Sequence, residues 1–110
     1  MRTTICAAIL VVMSSFAAAE TLIPRSMEEK AKYYLVEQKG TSIITTIHVR
    51  KSAFSTGYSV TEINCSNRTY RDMGYGEDSR SNVKMYEPPG NWTRLIKGSS
   101  KSDLVTFVCG

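Results

Sequence analysis

The sequence predicts an α+β domain, an antiparallel sheet of about six strands with a short C-terminal helix that a disulfide fixes to the sheet. Segments of alternating apolar and polar residues recur between residues 32 and 96, separated by glycines and polar turns. Residues 104–108 place apolar side chains at i, i+3 and i+4, which suits a helix, whereas their β-branched content suits a strand. The helix is favoured because a helix-start signal and Gly98 precede this segment. Two cysteines, Cys65 and Cys109, lie at the ends of a predicted strand and of that helix.

The N-terminus has the pattern of an export signal. Arg2 precedes a mostly apolar run from Ile5 to Phe16, and Ala17 to Ala19 supply the small residues that precede a cleavage site. The apolar run is shorter than the roughly 20 residues that span a bilayer. We therefore interpret residues 1–19 as a cleaved signal peptide rather than a membrane anchor.

Cleavage would leave one domain, residues 20–110, in an oxidising compartment and without a membrane span. We expect it to be soluble and either periplasmic or secreted, because no lipobox precedes Cys6, which leaves with the signal. The remaining cysteines, Cys65 and Cys109, allow one pairing. Closing so long a loop stabilises a domain by about 4 kcal/mol, a large share of the roughly 5–15 kcal/mol that a small domain has in total.

The first two predicted strands form a hairpin. Residues 32–38 are rich in aromatic and branched side chains, as strands prefer, and the chain turns near Gly40. Residues 42–50 alternate most clearly, with His48 on the polar side of the strand. The other side is predicted to face the core and comprises Ile43, Thr45, Ile47 and Val49.

Four further strands are predicted from the same alternation. A tight turn at Ser66-Asn67 follows the first of them, and the polar stretch from Gly74 to Asn82 is predicted to be a mobile loop. Pro88-Pro89-Gly90 ends another strand. These four strands are residues 58–65, 68–73, 83–87 and 92–96.

Both ends of the domain have helix-start signals. Ser26 and Glu29 fit a capping box, which predicts either a single helical turn or a flexible leader. Ser100 and Asp103 fit a second one, which predicts that the terminal helix begins there. Trp92, just before this region, is predicted to be a structural anchor in the core, because it precedes two large apolar residues in a returning strand.

Composition argues against a cofactor-dependent enzyme and against a nucleic-acid partner. Without Arg2, the 14 Lys and Arg become 13 against 10 Asp and Glu, which is a net charge of +3 carried by scattered residues. The sequence has no nucleophile elbow, no HExxH pair and no glycine-rich phosphate loop. We expect no cofactor, no metal and no catalytic residue.

The residue types that dominate protein interfaces are present between the cysteines. Tyr and Arg contribute much of the binding energy at such surfaces. We predict a binding face for a protein ligand, formed by Arg68, Tyr70, Arg71 and Arg94.

Short motifs in this order resemble the surface-adhesin protein E family of bacteria. The resemblance covers about residues 32–110. Its motifs are Glu62-Ile-Asn-Cys65, Arg68-Thr-Tyr-Arg71, Trp92-Thr-Arg-Leu-Ile96, Gly98-Ser99, and Leu104 with Val108-Cys109. Lys97 stands where the family has a proline before the Gly-Ser pair, and the lipobox of the surface-anchored adhesin is missing.

The resemblance implies an antiparallel sheet whose C-terminal helix is tethered by a Cys65–Cys109 bridge. It also implies a non-enzymatic binding module. The founding member is an adhesin that binds host matrix proteins and plasminogen, so these are the partners that the resemblance suggests.

Two other functions remain open from the residues alone. A periplasmic inhibitor of a hydrolase such as lysozyme would insert a loop into the enzyme's cleft, for which Asp72 to Asn82 is the candidate. A small secreted ribonuclease would be centred on His48, the only histidine, with Glu62 and Arg68 as partners. No spacing supports that grouping, and we interpret His48 as a surface residue.

Overall fold

The structure is a computed structural model that describes residues 19–110. The predicted signal peptide, residues 1–19, lies outside the described residues apart from Ala19, so its cleavage stays a prediction. Within residues 19–110, no helix is long and apolar enough to cross a membrane.

Residues 19–110 form one antiparallel sheet of seven strands and one α-helix, which confirms the predicted fold class. Strands β1 to β6 are neighbours in chain order. Strand β7 also pairs with β5, at Thr69 and Tyr70, along the edge that β6 uses at Gly74 and Tyr75. The elements are β1 (Thr21–Leu22), β2 (Lys32–Lys39), β3 (Ile43–Lys51), β4 (Thr56–Asn64), β5 (Thr69–Glu77), β6 (Lys84–Met85), β7 (Thr93–Arg94) and α1 (Ser100–Cys109).

Helix α1 packs on one face of the sheet. We call this face the helix face, and we call the opposite face of the sheet the second face. Ile63 of β4 meets Leu104 and Val105 of the helix, and each of these side chains is at most 1% exposed. Ile23, from the segment between β1 and β2, completes this cluster at 2% exposure. The strands, the helix and the N-terminal segment therefore share one core.

The helix begins one residue earlier than predicted. Ser99 is the N-cap, and its hydroxyl accepts a 3.1 Å hydrogen bond from the Ser102 amide. Asp103 was predicted to complete a capping box with Ser100. Its carboxylate instead pairs with Arg25 of the N-terminal segment.

Strand β3 buries the opposite side from the one predicted along most of its length, although Val49, on the predicted side, is fully buried at 0% exposure. Ile63 lies directly across from Ile44, so alternation puts Ile44, Thr46 and His48 on the helix face. These three side chains are 7%, 0% and 6% exposed, whereas Ile43 is 41% exposed. The prediction that His48 is a surface residue is therefore wrong. Both sides of β3 carry apolar residues, so alternation alone did not determine which one is covered.

The fourth predicted strand is longer than its pattern indicated. Strand β5 continues through Gly74 and Gly76 to Glu77, and a 3-10 turn at Arg80–Asn82 follows, so the prediction of a mobile loop from Gly74 to Asn82 is wrong. The returning chain lies directly on the strand: a Cβ on Gly76 would be 2.5 Å from backbone atoms of Asn82. Glycine is therefore required there for the close approach.

The N-terminal segment is extended rather than helical. The predicted turn at Ser26 to Glu29 does not form, and β1 adds a two-residue strand that the sequence analysis missed. Ile23 donates a 2.8 Å backbone hydrogen bond to the carbonyl of Tyr33, and Ala31 is only 3% exposed. This segment therefore lies against the sheet as part of the core.

Candidate functional site

The four residues predicted to form one binding face lie at different places on the sheet. Tyr70 and Arg71 are consecutive in β5, so their side chains point to opposite faces. Tyr70 lies across from Ile63 and is on the helix face, whereas Arg71 lies across from Glu62 on the second face. The structure therefore brings only some of the predicted residues together.

On the second face, Arg71 links a carboxylate to the only tryptophan. Its Nε and Nη2 atoms both lie 2.8 Å from Oε1 of Glu62. The guanidinium carbon stands 4.8 Å from the centre of the Trp92 ring, within the range of a cation–π contact. Contacts with the Glu62 carboxylate and with the Trp92 ring therefore both restrain the Arg71 side chain, and Arg71 restrains the indole.

Trp92 is not a core anchor, and that prediction is wrong. Its side chain is 41% exposed and lies outside the buried cluster. The chain approaches β5 just before it, where the Gly90 amide donates a 2.9 Å hydrogen bond to the carbonyl of Asp72, and it pairs with β5 again at Thr93. These two attachments place Trp92 over the edge of the sheet, where Arg71 supports one side of the ring.

Arg94 lies on the same face as Arg71. It is directly across from Thr69, which is two residues before Arg71 in β5, so all three side chains point to the second face. Arg94 is exposed and makes no ion pair with a carboxylate among residues 19–110. We name this group of residues the Trp92 patch: Glu62, Arg71, Trp92 and Arg94.

Arg68 and Tyr70 hold the helix instead of contributing to that patch. Arg68 occupies the turn between β4 and β5 with a φ of 55°. Its guanidinium donates 3.2 Å hydrogen bonds to the carbonyl of Gly110 and the hydroxyl of Thr106. Tyr70 packs against the core, and its ring lies 4.8 Å below the Lys101 ammonium. Both residues fix α1 on the sheet.

The predicted disulfide between Cys65 and Cys109 is present. The Cα atoms are 5.6 Å apart, within the usual range for a bridge. Cys65 follows β4 two residues after Ile63, and both it and Cys109 pack against the core cluster. The bridge therefore joins the last turn of α1 to the end of the strand beneath it.

His48 is enclosed on the helix face. Burial lowers the pKa of His48 from 6.5 to about 4; the positive charge of Lys101 adds to this effect and Asp72 opposes it. Its Nδ1 atom is buried and has no hydrogen-bond partner among the described residues. Glu62 lies on the second face, so the grouping considered for a ribonuclease does not form.

A partly buried ion pair attaches the N-terminal segment to α1, and the sequence analysis missed it. Arg25 pairs with Asp103, which also accepts a 2.9 Å hydrogen bond from the Ser26 amide. Burial alone would raise the pKa of Asp103, but Ser26 and Arg25 outweigh it and hold that pKa below its ordinary value of 3.8. No local sequence signal reveals the pair, because its members are far apart in the chain.

Comparison with family models, curated proteins and solved structures returned no match for this chain.

Proposed function

We propose that this chain is an exported, non-enzymatic binding module that recognises a protein ligand through the Trp92 patch. The main support for this proposal is the half-exposed indole of Trp92. It packs against the guanidinium of Arg71, which is itself paired with the carboxylate of Glu62. Host matrix proteins and plasminogen are the first candidates, through the resemblance to surface-adhesin protein E.

The composition and rigidity of the patch support this proposal. Trp and Arg, together with Tyr, are enriched among the residues that dominate binding energy. The indole is held against Arg71, and Arg71 is held by Glu62, so little side-chain freedom is lost when a ligand covers them. Arg94 adds a positive charge that a carboxylate of the ligand can satisfy.

The alternative functions have less support from the geometry. The loop considered for a hydrolase inhibitor begins at Asp72, but residues up to Glu77 belong to β5 and do not project from the sheet. The ribonuclease would need an accessible His48 beside Glu62, and these residues lie on opposite faces. A binding surface on the second face requires neither arrangement.

We expect Trp92→Ala to weaken binding to the recognised ligand by about tenfold or more, as the loss of a dominant interface residue does. Binding of residues 20–110 to immobilised fibronectin, laminin and plasminogen would be measured by surface plasmon resonance. Tyr75→Ala is the matched control, because Tyr75 is equally exposed, at 41%, but lies across from Ser59 on the helix face. Equal binding by both variants, or no binding to any of these proteins, would count against the proposal.

A further inference from the structure

Strand β7 lies at an edge of the sheet, and the side of it that faces away from β5 is open. Within residues 19–110, β7 pairs with β5 alone. Every residue from Asn91 to Lys97 is exposed except Leu95, which packs against the core cluster. The free N–H and C=O groups of such an edge can pair with a further strand. The backbone of β7 can therefore accept an extended peptide.

Three alternate side chains along this edge share the second face. Trp92 and Arg94 already belong to the Trp92 patch. Because Leu95 points to the core, its neighbours Arg94 and Ile96 point away from the helix. Trp92 is 41% exposed and Ile96 is 73% exposed. The edge therefore presents an apolar, a cationic and a second apolar side chain in a row on one face.

The charge of this segment is positive and largely uncompensated. Residues 88–102 contain Arg94, Lys97 and Lys101 but no carboxylate. Lys101 pairs with Asp72. Neither Arg94 nor Lys97 has an ion-pair partner in the described part of the chain. A ligand that places a carboxylate opposite Arg94 would complement this charge.

We propose that an extended acidic segment of the protein ligand binds as an added strand on the open side of β7. Its acidic side chain lies opposite Arg94, and apolar side chains two positions to either side lie over Trp92 and Ile96. Side chains directly opposite in such a pair are about 5 Å apart, and those two positions along share their face. This inference rests on the function proposed for the Trp92 patch and specifies the segment that the patch recognises.

The edge suits a peptide better than other anionic partners. Nucleic acids and acidic glycans are bound by several clustered cations, whereas only Arg94 and Lys97 are unpaired along the described edge. In strand addition, main-chain hydrogen bonds supply affinity and alternate side chains supply specificity, and only a peptide offers both. A second copy of β7 does not fit, because residues 88–102 contain no acidic residue to face Arg94.

Titration of the isotope-labelled exported protein with three short peptides, followed by NMR, tests the proposal. The first is acetyl-Ser-Val-Thr-Glu-Thr-Val-Ser-amide, with valines two positions to either side of the glutamate. In the second, glutamine replaces the glutamate. In the third, valines and threonines exchange places, so the same composition puts the valines on the face opposite the glutamate.

We expect the first peptide to shift the amide signals of residues 92–96 and to slow their hydrogen exchange. The second should bind about fivefold more weakly, which is the effect of losing a favourable exposed ion pair. The third should bind about tenfold more weakly or worse, because its valines cannot reach Trp92 and Ile96. Equal affinity for the first and third peptides, signal changes away from β7, or no binding of the first peptide would overturn the proposal.

Two arginine substitutions assign the acidic preference to one side chain. Arg94→Gln should bind the first and second peptides equally. Arg50→Gln is the matched control, because Arg50 is also exposed on a strand but lies on the helix face, two residues after His48; it should keep the preference. A preference that survives Arg94→Gln would overturn the role of Arg94.

These results are separate from a failure of the proposed function itself. If Trp92→Ala weakens binding to fibronectin, laminin or plasminogen but the three peptides bind alike, the patch binds protein and the strand-addition mode is wrong. If the first peptide binds selectively but none of the three proteins does, the edge is assigned and those proteins are rejected as ligands. Heparin that shifts residues 92–96 where the first peptide does not would assign the edge to an acidic glycan and overturn the proposal.

Discussion

Removal of the Cys65–Cys109 bridge is expected to lower the free energy of unfolding by about 4 kcal/mol, because the bridge closes a loop with a sequence separation of 44 residues. That is a large share of the roughly 5–15 kcal/mol typical of a small domain. Urea unfolding of wild type and of a Cys65→Ala/Cys109→Ala variant would measure the difference. A change below about 1 kcal/mol would contradict the expectation, because native bridges in small secreted domains usually contribute more.

Reduction should release α1 before the sheet opens. The strand ladders contain no residue of the helix, and a helix of 10 residues is marginal without tertiary contacts. Leu104, Val105 and the Arg25–Asp103 pair still favour its native position, so release should be partial in mild reductant. Hydrogen exchange should show faster exchange in α1 than in β3 and β4. Simultaneous loss of protection in all three elements would contradict this order.

Acidification from about pH 6.5 to about pH 4 is expected to cost about 3 kcal/mol of stability through His48 alone. The pKa of this histidine is about 4 when folded and about 6.5 when unfolded. Between these values the unfolded chain binds a proton that the native state does not. Stability from this source is therefore fully present above pH 6.5, falls as the pH drops, and stops falling below about pH 4.

His48→Gln should remove this pH dependence. His48 is the only histidine in the chain, so no other imidazole titrates in this window. Asp103 has a pKa held below 3.8, so its contribution is lost only at lower pH. The free energy of unfolding of the variant, whatever its absolute value, should change little between pH 6.5 and pH 4. An equal slope in wild type and variant would show that His48 titrates normally in the folded protein.

The parts of the fold that the sequence predicted are those with a local signal. Glycine at Gly40 allows the φ of 108° in the first hairpin. The helix-start signal at Ser100 and Asp103, together with the apolar spacing of residues 104–108, predicted the helix. Two cysteines in a domain that is predicted to be exported can form only one intramolecular disulfide. Each of these inferences depends on residues close in the chain or on a simple count.

Tertiary packing determined what the sequence could not predict. Both sides of β3 carry apolar residues, so alternation could not show which side the helix covers, and His48 was placed wrongly. An irregularity in the pairing of β5, between Val60 and Thr61 of β4, also changes the register. For the candidate site, alternation along β5 was the usable signal: Tyr70 and Arg71 are adjacent, so they could not share a face.

The intrinsic fluorescence of Trp92 tests whether this side chain forms an exposed binding surface, because it is the only tryptophan in the chain. We expect red-shifted emission that acrylamide quenches readily in the free, folded protein, since the indole is 41% exposed on the second face. Bound ligand should shift the emission to the blue and reduce quenching. Blue-shifted, poorly quenched emission from the free protein would place Trp92 in the core and contradict the proposed binding surface.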